Sequence, residues 1–203
     1  MPERLSIPGF LRGTRWVSTD GRNGYCMLYE IGSEATVTGR DYLERLNDPT
    51  SWSRKMMPHH RNMVRSLCRV HSSFGAGLGQ FLLSVRCSPD PRDRAGLEAW
   101  LSTELLPGLP RQRGYVAAHF LQNIPTPGAG PTAEQRLRGG DAAADWIVLI
   151  SGYSADAIET MVAAEFADGN MTAHGARPGT LARCYGLACL MTSGDVRTRG
   201  ASL

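Results

Sequence analysis

His119 lies in the stretch Tyr115–Asn123, where the residue types alternate along the chain. Side chains of a strand point to opposite faces in turn. Val116, Ala118 and Phe120 therefore form one apolar face, suited to packing on helices. Tyr115, Ala117, His119, Leu121 and Asn123 form the other. An imidazole on a mostly apolar wall can move a proton near neutral pH. The stretch Gln80–Cys87 repeats the pattern, with Phe81, Leu83, Val85 and Cys87 facing helices and Gln80, Ser84 and Arg86 facing away. Arg86 offers a fixed cation for a carboxylate or an enolate oxygen, and Tyr115 offers a hydrogen bond. His119, Arg86 and Tyr115 are thus the expected catalytic set. Arg183 and Tyr185 alternate with Cys184 and Gly186 in Ala182–Thr192. Trp16 shares a strand face with Arg12 and Thr14, and Tyr29 lies on the neighbouring strand. Trp16, Tyr29, Ser84, Tyr185 and Arg183 are the expected substrate-binding wall. The plain alternative is a strand histidine that is only a hydrogen-bonded core or rim residue.

Other chemistry is less well supported. His59 and His60 are adjacent, so on an extended chain they point opposite ways, and no acidic residue lies between 55 and 65. His71 and Arg69 share a face with Arg65, an ordinary solvated stripe. His174 sits in a Gly-rich loop without companions. The run Gly75–Gly79 lacks the G-x-G-x-x-G spacing and precedes a strand, which makes it a linker and not a phosphate loop. The five cysteines, at 26, 68, 87, 184 and 189, form no C-x-x-C pair and all fall in expected strands. They read as free buried thiols, with neither metal nor cofactor implied.

The 203 residues carry a net charge of only +3, and 42% are hydrophobic. The basic residues are scattered, which argues against nucleic acid as a partner. The sequence shows no signal region and no run of membrane-spanning length. The expectation is a cytoplasmic protein with a small-molecule ligand, no nucleic acid and no membrane.

The elements that must position these residues follow from the same patterns. Residues 80–192 read strand, helix (Arg94–Leu106), strand, strand (Trp146–Tyr153), helix (Ala155–Asp168), strand, the order of a ferredoxin-like unit. Upstream, Phe10–Thr19 and Tyr25–Ile31 form a hairpin around a turn at Asp20–Gly24. Thr38–Asn47 is helical, with Thr38 placed to cap it, Ser51–Met57 is a short helical turn, and Met63–Ser72 is a strand. Pro125–Ala144 reads as a long loop. The reading is α+β: tandem ferredoxin-like units with antiparallel sheets and helices on one face. The first, 1–76, lacks its first strand and helix; the second spans 77–193, and 194–203 is a loose tail. Direct pairing of the Tyr25 and Met63 strands, another segment or a partner chain would each fill the gap.

Pro2-Glu3-Arg4-Leu5 with Ile7-Pro8-Gly9-Phe10, the strand Tyr25–Glu30, Tyr42-Leu43 with Asn47-Asp48-Pro49-Thr50 and Trp52, and Arg65 with Cys68-Arg69-Val70 together resemble the EthD-like proteins of the dimeric α/β-barrel superfamily. The resemblance covers most of residues 1–75. It places the Pro-Gly entry after a strand and a histidine-bearing helix of the family, and residues 80–192 match by element order alone. A ferredoxin-like sheet has one exposed face to bury, so a homodimer is expected, the alternative being a closed monomer whose two units pack on each other. The resemblance implies cofactor-independent proton transfer (isomerisation or cyclisation), or monooxygenation, of an apolar aromatic or polyketide-like compound. The alternative is a non-catalytic ligand-binding or assembly protein.

Overall fold

A computed structural model describes residues 1–125 and 131–200. Seven strands make one antiparallel sheet: β1 (Phe10–Ser18), β2 (Tyr25–Ile31), β3 (Cys68–Gly75), β4 (Phe81–Cys87), β5 (Tyr115–Asn123), β6 (Trp146–Gly152) and β7 (Leu181–Thr192). Their order across the sheet is β2-β1-β7-β4-β6-β5-β3. The inner four, β7-β4-β6-β5, are the ferredoxin-like arrangement expected from residues 80–192. The upstream strands extend this sheet. The β1–β2 hairpin pairs through β1 with β7, and β3 pairs with β5. The strands of Tyr25 and of Met63–Ser72 therefore do not pair; they lie at opposite ends.

The helices are α1 (Pro2–Leu5), α2 (Ala35–Thr38), α3 (Arg40–Asn47), α4 (Ser51–Met56), α5 (Arg94–Ala99), α6 (Ala133–Arg138), α7 (Ala155–Ala164), α8 (Asp168–Ala173) and α9 (Ser193–Gly200). Helix α5 runs on through Trp100–Leu105 as a wider π turn, where Ser102 and Thr103 donate their hydroxyls to the Glu98 and Ala99 carbonyls.

Several boundaries differ from the sequence reading. The third strand begins at Cys68, five residues late, and continues to Gly75. Thr38 does not cap α3; it ends α2, and Gly39 takes the cap position without a side-chain bond. The long loop contains α6, started by a Thr132/Gln135 capping box; its residues 126–130 lie outside the described residues. The tail forms α9, whose Val196 packs beneath α1 and α3; residues 201–203 lie outside the described residues. Gly79 works as more than a spacer, since a Cβ there would meet the Gly152 carbonyl oxygen at 2.2 Å.

Two faces result. On the helix side, Leu83, Val85, Phe120, Trp146, Val148 and Ile150 bury against Leu97, Leu101 and Ile158. A smaller cluster sets Leu5, Phe10, Tyr42 and Leu46 together under α1 and α3. On the other side, Trp16, Leu82, Leu149 and Tyr185 form a buried group joined by Cys26, Leu28, Leu121, Ile147 and Leu187. That group draws on every strand except β3. In a flat sheet β1 and β5 would stand about 19 Å apart, four strand spacings. Side chains from β2 and β5 share one cluster because the sheet curls around Trp16.

Candidate functional site

The concave face carries His119, Ser84 and Arg86, but not Tyr115. Register pairs Ser73 with His119, His119 with Leu149, Leu149 with Ser84, and Ser84 with Arg183, in one line across β3, β5, β6, β4 and β7. His119 is half-buried, and its Nδ1 lies 2.7 Å from the Ser73 hydroxyl oxygen. Burial pulls the His119 pKa below its ordinary value; the Glu30 carboxylate pushes it up and the Arg12 guanidinium pushes it down. The imidazole is therefore neutral at physiological pH. When the Ser73 oxygen accepts from Nδ1–H, the Nε2 lone pair is free to take a proton.

Arg12 and Glu30 are cross-strand partners on the concave face at the far end of the sheet. Arg12 donates both Nε, at 2.9 Å, and Nη2 to the single oxygen Oε1 of Glu30. The side chains are 34% and 56% exposed, so the pair holds together with no more than about 1 kcal/mol. It reaches His119 because the curl brings the two ends of the sheet toward each other.

Arg86 and Ser84 lie on the concave face as expected, beside Leu82. The Arg86 charge acts on Cys26 and on Tyr185, lowering both pKa values against the larger upward push of burial. The Cys26 thiol is nonetheless pushed up to about 11, which keeps it protonated and a poor nucleophile. Tyr185 is buried in the central cluster. Trp16 is completely buried and donates its indole N–H to Thr14 Oγ1 at 2.8 Å. It fills the middle of the concave face. Arg183 stands at the rim, 3.3 Å from Asp20 Oδ2.

Two expected placements are overturned. Tyr115 turns to the helix side, where its hydroxyl donates to the Ala157 carbonyl at 2.7 Å. A register shift between Tyr115 and Ala117 breaks the alternation there. Tyr29 lies opposite Trp16, packed edge-on against Phe10, and burial pushes its pKa up to about 12. The Glu30 pairing with Arg12 fixes that parity. Gly13, opposite Tyr29, leaves room for the ring, since a Cβ there would come within 2.9 Å of it.

Ser73 and Glu30 were not among the expected site residues. Ser73 was hidden because the strand was read to end at Ser72, whereas it runs on to Gly75. Glu30 was hidden because pairing partners on two strands are not visible from either strand alone. Two other histidines have local partners: His71 meets Glu98 at 3.3 Å on the helix side, and His174 stacks on Trp100. All five cysteines are free thiols on strands. Among the described residues, no group of three or more His, Cys, Asp or Glu could hold a metal ion. No helix there is long and apolar enough to cross a membrane.

An α+β chain with helices on one side of a curled antiparallel sheet has the dimeric α/β-barrel type of fold. No protein-family model and no curated protein matches the sequence. Solved structures do match the fold. An anthrone oxidase-like protein superposes with a TM-score of 0.66 at 13% identity, over 93% of this chain and 81% of that one. A candidate monooxygenase of Fusobacterium nucleatum subsp. nucleatum gives 0.57 at 7% identity, over 94% and 85%. A regulator of staphylococcal pathogenesis gives 0.50 at 8% identity, over 88% and 86%. At these identities the likeness is one of fold.

Proposed function

We propose that the chain is a small-molecule enzyme in which His119 removes a proton from an apolar, aromatic or polyketide-like substrate without needing a bound cofactor. The observation that carries this reading is His119 itself: half-buried, held at Nδ1 by Ser73, and kept neutral by burial. A base of that kind contributes about 10²- to 10⁴-fold to a proton transfer. The resulting carbanion or enolate is reprotonated elsewhere in an isomerisation, closes on a carbonyl carbon in a cyclisation, or passes electrons to oxygen. Oxygenation comes first because one similar structure is an anthrone oxidase-like protein and another a candidate monooxygenase. For anthrone the step balances without another reagent. Nε2 takes a ring-carbon proton, the anion adds O₂, the peroxide recovers the proton, and loss of water leaves the quinone.

The test is oxygen uptake with anthrone. Wild type should turn it over, and His119→Ala should lose about 100-fold or more. Because burial lowers the imidazole pKa, the wild-type rate should hold through neutral pH and fall only on the acid side of the ordinary imidazole range. An unchanged rate in His119→Ala overturns the proposal.

A second reading, a non-catalytic binding or assembly protein, is favoured by Trp16, which fills the hollow that a substrate would otherwise occupy. The fold also serves a bacterial regulator. Anthrone binding without oxygen uptake would select this reading. Under either reading we propose a homodimer. The outer face of the hairpin exposes Val17, Tyr25 and Met27 together, and β2 and β3 leave unpaired edges. Light scattering should give twice the 22.1 kDa chain mass, and a monomer would refute the dimer.

A further inference from the structure

The curl sets two side-chain pairs toward each other. Arg12 and Glu30 are register partners on β1 and β2; Ser73 and His119 are register partners on β3 and β5. The next concave residue on each side, Leu28 and Leu121, packs on the same buried cluster. An apolar floor therefore joins the pairs. We propose that this seam is an anion site, in which Arg12 exchanges Glu30 for the anionic oxygen of an apolar ligand, a carboxylate or an enolate, lying over Leu28 and Leu121 against His119. As a substrate subsite this rests on the reading of His119 as the base.

The present grip of Arg12 is replaceable. Both of its bonds fall on one oxygen of Glu30, whereas a free carboxylate can offer two oxygens to the guanidinium fork, a stronger geometry. Both side chains are open to solvent, so the exchange strands no buried charge. Glu30 then acts as a built-in competitor. Once the ligand takes Arg12, Glu30 is released beside His119. The two groups act on His119 with opposite sign, so neutralising Arg12 leaves the carboxylate to favour the imidazolium. Ligand binding and proton uptake by His119 become linked, each strengthening the other.

Benzoate is the probe, titrated into the full chain while the His119 ring signals are followed by NMR. It should shift those signals and raise the His119 midpoint. Arg12→Gln should weaken binding by about tenfold or more, and Glu30→Gln should tighten it severalfold because the competitor is gone. A merely structural pair would show the reverse in Glu30→Gln, with binding weakened or unaltered. The proposal is overturned if benzoate fails to bind wild type, if Arg12→Gln binds it equally well, or if Glu30→Gln binds it no better. His119→Gln separates the two readings. Arg12-dependent benzoate binding that survives in it, read by titration calorimetry, supports the anion site even if anthrone turnover proves independent of His119. Loss of turnover in His119→Ala with no Arg12 dependence of binding overturns the anion site alone.

Discussion

Tyr115 and His119 show how one irregular residue decides which side chains do chemistry. Strict alternation would put both on the concave face, yet the shift between Tyr115 and Ala117 sends Tyr115 to α7. Burial first, and then Glu165, raises the Tyr115 pKa, so its hydroxyl stays a donor to Ala157. Tyr115→Phe should therefore cost about 1 kcal/mol of stability, the worth of one such hydrogen bond, and leave oxygen uptake with anthrone within about twofold. Denaturant unfolding and the oxygen electrode read the two effects separately. Lost turnover at undiminished stability would return Tyr115 to the reaction. The faces of Phe120, Ala118, Leu83 and Val85 were legible because period two runs unbroken after the shift in β5 and along the whole of β4. Tyr115 and Tyr29 were not, because a bulge and a cross-strand register depend on the partner strand.

At the scale of elements, the inner four strands were legible from the switch between strand and helix periods along 80–192. The segment 131–144 was not, since its Pro, Gly, Ala and Arg content resembles a loop and its reason for folding lies elsewhere in the chain. Glu134 on α6 is almost wholly buried and receives Arg4 from α1 at 2.6 Å. Arg138, 5% exposed, lies 3.8 Å from Glu134 and grips both oxygens of Asp141. Burial works against the Asp141 charge, but the Arg138 bonds and charge outweigh it and hold the carboxyl below its ordinary pKa. The stability this adds is complete above the ordinary aspartate range and is lost as pH falls through the lowered value. Arg138 keeps Asp141 without Glu134, but Arg4 is left charged and without its carboxylate, which costs about 3–5 kcal/mol. Glu134→Ala should show that loss in denaturant unfolding at neutral pH. A cost under about 1 kcal/mol would mean that water replaces the carboxylate, and that the network does not fasten α6 to the N-terminal helices.

Across the whole molecule, the curl turns a flat ladder of strands into a seam with His119 on one side and Arg12 with Glu30 on the other. Trp16 sits at the centre of that curl, completely buried, with Leu82, Leu149 and Tyr185 around it. Its removal tests whether the interior sets the distance between the ends. Trp16→Ala should cost about 3–5 kcal/mol, as for other large buried aromatic truncations. If the sheet opens when its centre is emptied, His119 loses burial as well as the nearby charges, and its titration midpoint should return toward the ordinary imidazole value. If neighbouring leucines collapse into the space and the curl persists, stability falls while the midpoint stays depressed. The pairing of the two readouts is decisive: unfolding energy reports the packing of Trp16, and the His119 midpoint reports whether that packing shapes the seam. A large stability loss with an unmoved midpoint would show that the curl comes from the strands' own twist and bulges. Trp16 would then be a filler of the hollow and not its former.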